Sequence, residues 1–341
     1  MILREFLRLE VTMKAGFFPG QGSQQVGMGK QFYDEFTVFR QTIEEASDSL
    51  SIDLKKLLFE GPESELTLTE NAQPAILSVS VGCFRVAEQE LGLKTSVNLG
   101  HSLGEYSALV ASEALPFSNS VAWVRARGQA MQKAVPVGEG TMSAVIGAED
   151  AQVETWCKEA TLQAQAARKS NGSTSTVSAA VEPANFNAPG QIVVSGSVDA
   201  IEILEKNIQA LGIRGVLVKR LLVSAPFHSS LMKPARTAME AIFEDAKKQG
   251  LVSPLQTPYI PNRTAKITPE SGVILPLLAE QVDHSVMWKQ SVECLIGSGV
   301  KVAFEFGPGK VLQGLAKRIA KPLNAAFETY PIYDLESLKT A

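Results

Sequence analysis

The stretch LGHSLGEYSALVAS, Leu99 to Ser112, places a serine between two glycines, each two positions away. Gly100-His101-Ser102-Leu103-Gly104 fits the pattern G-x-S-x-G, and its surroundings restrict the fold more than the pattern does. Thr95 to Leu99 predicts a strand that stops at Gly100, and Leu103 to Ala111 predicts the helix that follows. A strand passing into a helix through one tight turn belongs to an α/β architecture, and the small flanking residues let neighbouring elements approach closely. Such a turn exposes the serine oxygen. It also sets the N–H of Leu103 at a helix N-terminus, where it can donate to a developing oxyanion. A serine at a helix start is also a common cap, so the turn alone leaves nucleophile and cap both open.

The same strand-to-helix style recurs. Lys14 to Phe18 predicts a buried strand running into the turn-rich Pro19-Gly20-Gln21-Gly22-Ser23-Gln24, and Val300 to Phe306 predicts another, ending at Gly307-Pro308-Gly309 before a helix over Val311 to Ile319. Helices are predicted over Ala72 to Leu91 and Ser118 to Ala134. Between them and the last strand the style changes. Thr141 to Gly147, Val177 to Val181, Gln191 to Ser195 and Gly215 to Leu222 read as strands, with helices over Ala151 to Ala167 and Ala200 to Leu211. That order, βαββαβ, matches a ferredoxin-like unit. The run ARKSNGSTSTVS, Ala167 to Ser178, reads as a mobile surface loop. The expected organisation is a discontinuous large α/β subdomain over 13–138 and 224–320 and an inserted ferredoxin-like subdomain over 139–223. An N-terminal extension over 1–12 and a C-terminal tail over 321–341 complete it. A cleft between the two subdomains would suit a substrate.

Composition removes several classes. A formal charge of -4 over 341 residues argues against general attraction to nucleic acid or to acidic membranes. Cys83, Cys157 and Cys294 are odd in number and lack CxxC spacing, so neither a disulfide framework nor a cysteine-rich metal site is suggested, and a reducing cytoplasm fits. Arg4, Glu5, Arg8 and Glu10 interrupt the opening MILREFLRLEVT, which therefore does not read as a signal peptide, and no membrane-spanning apolar run occurs.

A serine hydroxyl needs a base. The chain has only His101, His228 and His284. His101 adjoins Ser102 at a tight turn and projects elsewhere, so it is read as packing at the substrate pocket. His228, in VSAPFHSS, lies where the small subdomain returns to the large one and faces the cleft. His284, in VDHSVMW, reads equally well as a surface group or a pocket liner. No Asp or Glu between Ser102 and His228 stands in a telling context, so a dyad with a backbone carbonyl orienting the imidazole remains open.

FPGQGSQQVGMG, GHSLGEYSAL, VRARGQAMQKAVP, NFNAPGQIVVSG, SAPFHSSLM and FGPGKVLQGL occur in this order between about Lys14 and Ile319. In these the chain resembles the malonyl-CoA:acyl-carrier-protein transacylases and related polyketide acyltransferase domains. The resemblance implies an α/β-hydrolase-like large subdomain with a ferredoxin-like small one. It further implies ping-pong transfer of malonyl from coenzyme A to a carrier's phosphopantetheine thiol. By position it implies Ser102 as the acylated nucleophile, His228 as the base, and the N–H of Gln21 beside that of Leu103 as oxyanion donors. Arg127 matches the residue binding the acyl carboxylate. Arg125 lies about 200° from it around the helix, so only one of the two faces the cleft; Met131, four residues on, shares its face. Phe227 matches the bulky neighbour of the histidine in malonyl-selective members. Two departures stand out: His284-Ser285-Val286-Met287-Trp288, where relatives often carry an asparagine before the tryptophan and draw the orienting carbonyl from this stretch, and the long polar run at 167–178. The thioester enters as a substrate, with no cofactor or metal implied. The expected partners are malonyl-CoA and an acidic carrier protein, met by a local Lys/Arg patch on a cytoplasmic monomer. A serine hydrolase and a non-catalytic carrier-docking subunit are the alternatives.

Overall fold

The computed structural model describes residues 13–172, 175–223 and 225–341. The extension expected over 1–12 lies outside the described residues, as do Ser173, Thr174 and Ser224.

Two sheets organise the chain. The first takes β1 (Lys14–Phe18), β2 (Val97–Gly100), β7 (Val302–Phe306) and β8 (Glu328–Ile332) in the order β2-β1-β7-β8, all parallel. KAGFF and VAFEF read as nearly unbroken buried runs because a central parallel strand is covered on both faces. In a parallel sheet the carboxyl ends share one edge. Phe18 pairs with Gly100, so the Pro19-Gly20-Gln21 turn and the His101-Ser102-Leu103 turn leave the sheet side by side. Phe17 pairs with Glu305, which brings Gly307-Pro308-Gly309 to the same edge. Ligands of open α/β sheets bind outside this edge. Against the sheet pack the helices Thr69–Leu91 and Gly104–Ala111, and Phe117–Lys133 packs on the first of these. The first is buried on nearly every side, as its apolar, small-residue sequence requires.

The second sheet takes β3 (Gly140–Ile146), β4 (Val181–Ala188), β5 (Gln191–Ser197) and β6 (Leu217–Arg220) in the order β4-β5-β3-β6, all antiparallel. The helices Asp150–Asn171 and Val198–Leu211 bury Val153, Trp156, Ile201 and Leu204 against its Val145, Ile192 and Val194. The sheets are joined where β4 meets the segment before Trp288. There Phe186 donates its N–H to the Val286 carbonyl (3.0 Å), and Val286 donates to that of Ala184 (2.8 Å).

Three boundaries differ from the sequence reading. The strand expected over Val177 to Val181 begins at Val181 and runs to Ala188, so it takes in NFNA, to which the sequence reading gave no element. The run from Ala167 is helical through Asn171 before Gly172 (φ 63°) ends it. Arg168 holds that last turn by a two-point pair with Asp199 (2.6 and 2.7 Å) and a bond to the Val177 carbonyl. The segment read as a C-terminal tail supplies edge strand β8 and the helix Leu335–Thr340, with Ile332 and Leu338 buried in the core. The open edge of β7 gives its apolar residues a place.

Candidate active site

Ser102 sits at the carboxyl end of β2 with φ 52°, a left-handed conformation that a serine adopts only when its surroundings enforce it. The enforcement is local and steric. A Cβ on Gly100 would overlap the Gly104 carbonyl, and one on Gly104 would overlap that of Phe18, so both glycines exist to let the turn close on β1. The His101 N–H donates to the Phe18 carbonyl (3.0 Å), and the Ser102 N–H donates to Asn262 Oδ1 (2.7 Å).

His228 meets this serine from 126 residues away, with Ser102 Oγ 2.7 Å from His228 Nε2. The other ring nitrogen, Nδ1, lies 2.9 Å from the Gln281 carbonyl oxygen. A carbonyl only accepts, so Nδ1 carries the proton and Nε2 is left as the acceptor for the serine hydroxyl. Burial, with the nearby Arg127 charge adding to it, pushes the imidazole down to about 3. The ring is therefore a neutral base across the physiological range. The orienting group is a backbone carbonyl, as the sequence left open; the hydrogen bond comes from Gln281, and the His284 backbone, in the stretch to which the resemblance pointed, also acts on the ring.

Arg127 is 1% exposed and lies beside the same oxygen. Its Nη2 donates to Ser102 Oγ (3.1 Å) and to Gln281 Oε1 (2.7 Å), and its Nη1 donates to Gln73 Oε1 (2.8 Å). Among the described residues no carboxylate hydrogen-bonds to it, and its Nε has no partner. Two neutral amides thus hold a buried cation that no carboxylate contacts directly, with Glu105 acting on it only at a distance. Arg125 turns away, toward the Leu50 carbonyl (3.5 Å).

A cavity of about 380 Å³ opens over these groups, and Gln21, His101, Ser102, Arg127, Met131 and Phe227 line it together with His228. Among the described residues neither the Gln21 nor the Leu103 N–H has a hydrogen-bond partner, so both remain available as donors. The Gln21 side chain is tied back to Thr69 Oγ1 (3.2 Å). His101 Nε2 pairs with Asn187 Oδ1 (2.8 Å) and its ring packs 5.7 Å from that of Trp288, which fixes it at the wall and away from the serine proton. His284 is a surface group, its side chain 41% exposed and 2.6 Å from Asp283 Oδ1.

The sequence reading missed Gln73, Glu105, Asn262 and Gln281, all buried and all bonded within the site. Glu105 lies inside the quoted GHSLGEYSAL, which was its only signal; the other three carry none.

The sequence profile of the acyl transferase domain matches residues 17–264. The chain is 37% identical over 327 residues to the malonyl CoA-acyl carrier protein transacylase of Bacillus subtilis (strain 168), covering 96% of this chain and 95% of that one. The chain belongs to the acyl transferase family, with the malonyl CoA-acyl carrier protein transacylases. Solved structures agree with this placement of the acyl transferase. The acyl-carrier-protein S-malonyltransferase of Burkholderia pseudomallei 1710b superposes with a TM-score of 0.85 at 38% identity, over 96% of this chain and 98% of that one. A malonyl-transacylase solved in complex with its type II polyketide-synthase acyl-carrier protein superposes with a TM-score of 0.86 at 37% identity, over 97% and 99%. In this acyl transferase, as described, no helix is long and apolar enough to cross a membrane.

Proposed function

We propose that the protein transfers a malonyl group from malonyl-CoA to the phosphopantetheine thiol of an acyl carrier protein, through a malonyl ester on Ser102. The observation that carries this reading is Arg127, a buried guanidinium beside the nucleophile to which no carboxylate hydrogen-bonds among the described residues. A carboxylate on the acyl group supplies the missing charge, and the planar fork suits two-point pairing with it. The Bacillus subtilis relative's name and the carrier complex of the polyketide-synthase relative support the same donor and acceptor.

Each half-reaction uses the same groups. His228 Nε2 takes the Ser102 proton as the oxygen attacks the thioester carbonyl, and the Gln21 and Leu103 N–H groups receive the oxyanion. Loss of one such donor in other enzymes costs about 3 kcal/mol. The tetrahedral intermediate collapses as the C–S bond breaks, and the imidazolium returns the proton to the departing coenzyme A sulfur. The carrier thiol then gives its proton to His228 and attacks the ester, which restores the serine. Met131 and Phe227 form the apolar wall against the acyl methylene, and His101 packs beside it. No cofactor takes part, since the thioester already holds the activated acyl group.

The parallel sheet with its elbow supports reading 13–138 and 224–320, extended to include β8, as an α/β-hydrolase-like subdomain. The order β4-β5-β3-β6 with both helices on one face supports a ferredoxin-like subdomain over 139–223. A cytoplasmic site of action agrees with its substrates.

Intact mass after brief exposure to malonyl-CoA tests the proposal. The wild type gains one malonyl group and Ser102→Ala gains none, and the adduct is cleared by a carrier thiol faster than by water. Rapid release of free malonate without carrier would make the protein a hydrolase, and absence of any adduct would leave it a docking subunit.

A further inference from the structure

Beneath the elbow lies a buried carboxylate to which neither half-reaction gives a part. Glu105 is 1% exposed and occupies the first turn of the helix Gly104–Ala111. Its Oε2 accepts the Asn262 N–H (3.0 Å) and Gln281 Nε2 (2.8 Å), while its Oε1 has no partner among the described residues. Burial raises the carboxyl to about 7, even against the lowering effect of the Asn262 and Gln281 donors and of the Arg127 and Arg263 charges. So costly a group in the interior needs a reason.

Gln281 supplies one. Its Nε2 gives one proton to Glu105 and the other to the Ser102 carbonyl (2.8 Å), and this leaves Oε1 toward Arg127 Nη2 (2.7 Å). Reversed, the same amide would point its NH2 at a guanidinium that can only donate, and its oxygen at two acceptors. The Ser102 carbonyl, Arg127 and a longer contact from Gln281 Nε2 to Asn262 Oδ1 (3.4 Å) oppose that reversal. Glu105 Oε2, which already accepts the Asn262 N–H, adds a fixed acceptor that opposes it further.

We propose that Glu105 is a positioning residue that locks the Gln281 amide with its oxygen toward Arg127, and thereby sets the guanidinium for the carboxylate of the acyl group. The inference rests on the malonyl reading above and predicts an effect that depends on substrate charge. The second contact of Glu105, through Asn262 to the Ser102 N–H, serves every acyl donor alike. The Gln281 contact serves only a donor with a free carboxylate.

The experiment compares kcat/KM for malonyl-CoA and for acetyl-CoA, with a carrier as acceptor, in the wild type, Glu105→Met and Glu105→Gln. Methionine fills the space without an acceptor, and the malonyl-to-acetyl ratio is expected to fall about tenfold. Glutamine keeps an acceptor oxygen at the Oε2 position, and the ratio is expected to stay within about threefold of wild type. A purely structural carboxylate would lower both rates together and leave the ratio unchanged. An unchanged ratio in Glu105→Met overturns the proposal, as does a ratio in Glu105→Gln as low as that in Glu105→Met. Should Glu105→Met not fold, Gln281→Met decides, since it removes the amide and keeps the backbone carbonyl: the ratio is expected to fall about tenfold, and an unchanged ratio overturns the proposal. A wild type that itself shows no preference for malonyl-CoA would instead remove the substrate assignment, so the two failures are distinguishable.

Discussion

Arg127 Nη2 donates to Ser102 Oγ across 3.1 Å, so the cation touches the very oxygen that must attack. A guanidinium this close withdraws charge from the nucleophile and adds to the burial that keeps the imidazole neutral, since a second positive charge beside it is unfavourable. Both effects lessen when an acyl carboxylate arrives and pairs with the arginine. The substrate thereby completes the site's electrostatics.

Arg127→Ala removes the pairing. The kcat/KM for malonyl-CoA should fall by about a hundredfold, the scale of losing a buried hydrogen-bonded charge partner, while transfer from acetyl-CoA is kept or raised. Steady-state kinetics with both donors checks this, and equal losses on both would take Arg127 out of carboxylate recognition.

The depressed imidazole makes a pH prediction. An ordinary histidine loses its basic form as pH falls through about 6.5, whereas His228, held down to about 3 by burial and by Arg127, stays neutral and competent well below that. The rate at which an uncharged sulfonyl fluoride modifies Ser102 should therefore be nearly flat from about pH 8 to about pH 5. An inflection near the ordinary histidine value that persists in Glu105→Gln, where the carboxyl held near 7 is gone, would show an imidazole exposed to solvent.

Gly104→Ala tests the elbow. The added methyl would meet the Phe18 carbonyl, a backbone atom with nowhere to move, so destabilisation of about 3 kcal/mol is expected with loss of serine reactivity. Denaturant midpoints and labelling measure the two effects separately. Wild-type values for both would mean that the turn and β1 are less tightly apposed than described.

Phe227→Val enlarges the cavity beside the base. Relative kcat/KM for methylmalonyl-CoA over malonyl-CoA should rise about tenfold, within the range that one methyl contact commands in an apolar pocket. A competition assay with both donors reads this directly, and an unchanged ratio would place the selectivity elsewhere on the wall.

What the sequence determined by itself was whatever neighbouring residues decide among themselves. The spacing of Gly100, Ser102 and Gly104 between an apolar strand and a helix fixed the elbow, because its steric conditions are met within five positions. The alternation of strands and helices gave the two-sheet plan for the same reason, and a histidine count of three made the base a short search. Only the tertiary structure decided the rest. Asn262 reaches the Gly100 carbonyl from 162 residues away and Gln281 the Ser102 carbonyl from 179. An amide has no intrinsic role until its neighbours dictate which end donates and which accepts, and those neighbours come from distant elements. Likewise nothing in the sequence around Arg127 declared that it would be buried with amides and a serine, and no carboxylate among the described residues, as its hydrogen-bond partners; that depends on which side chains the folded core brings to it.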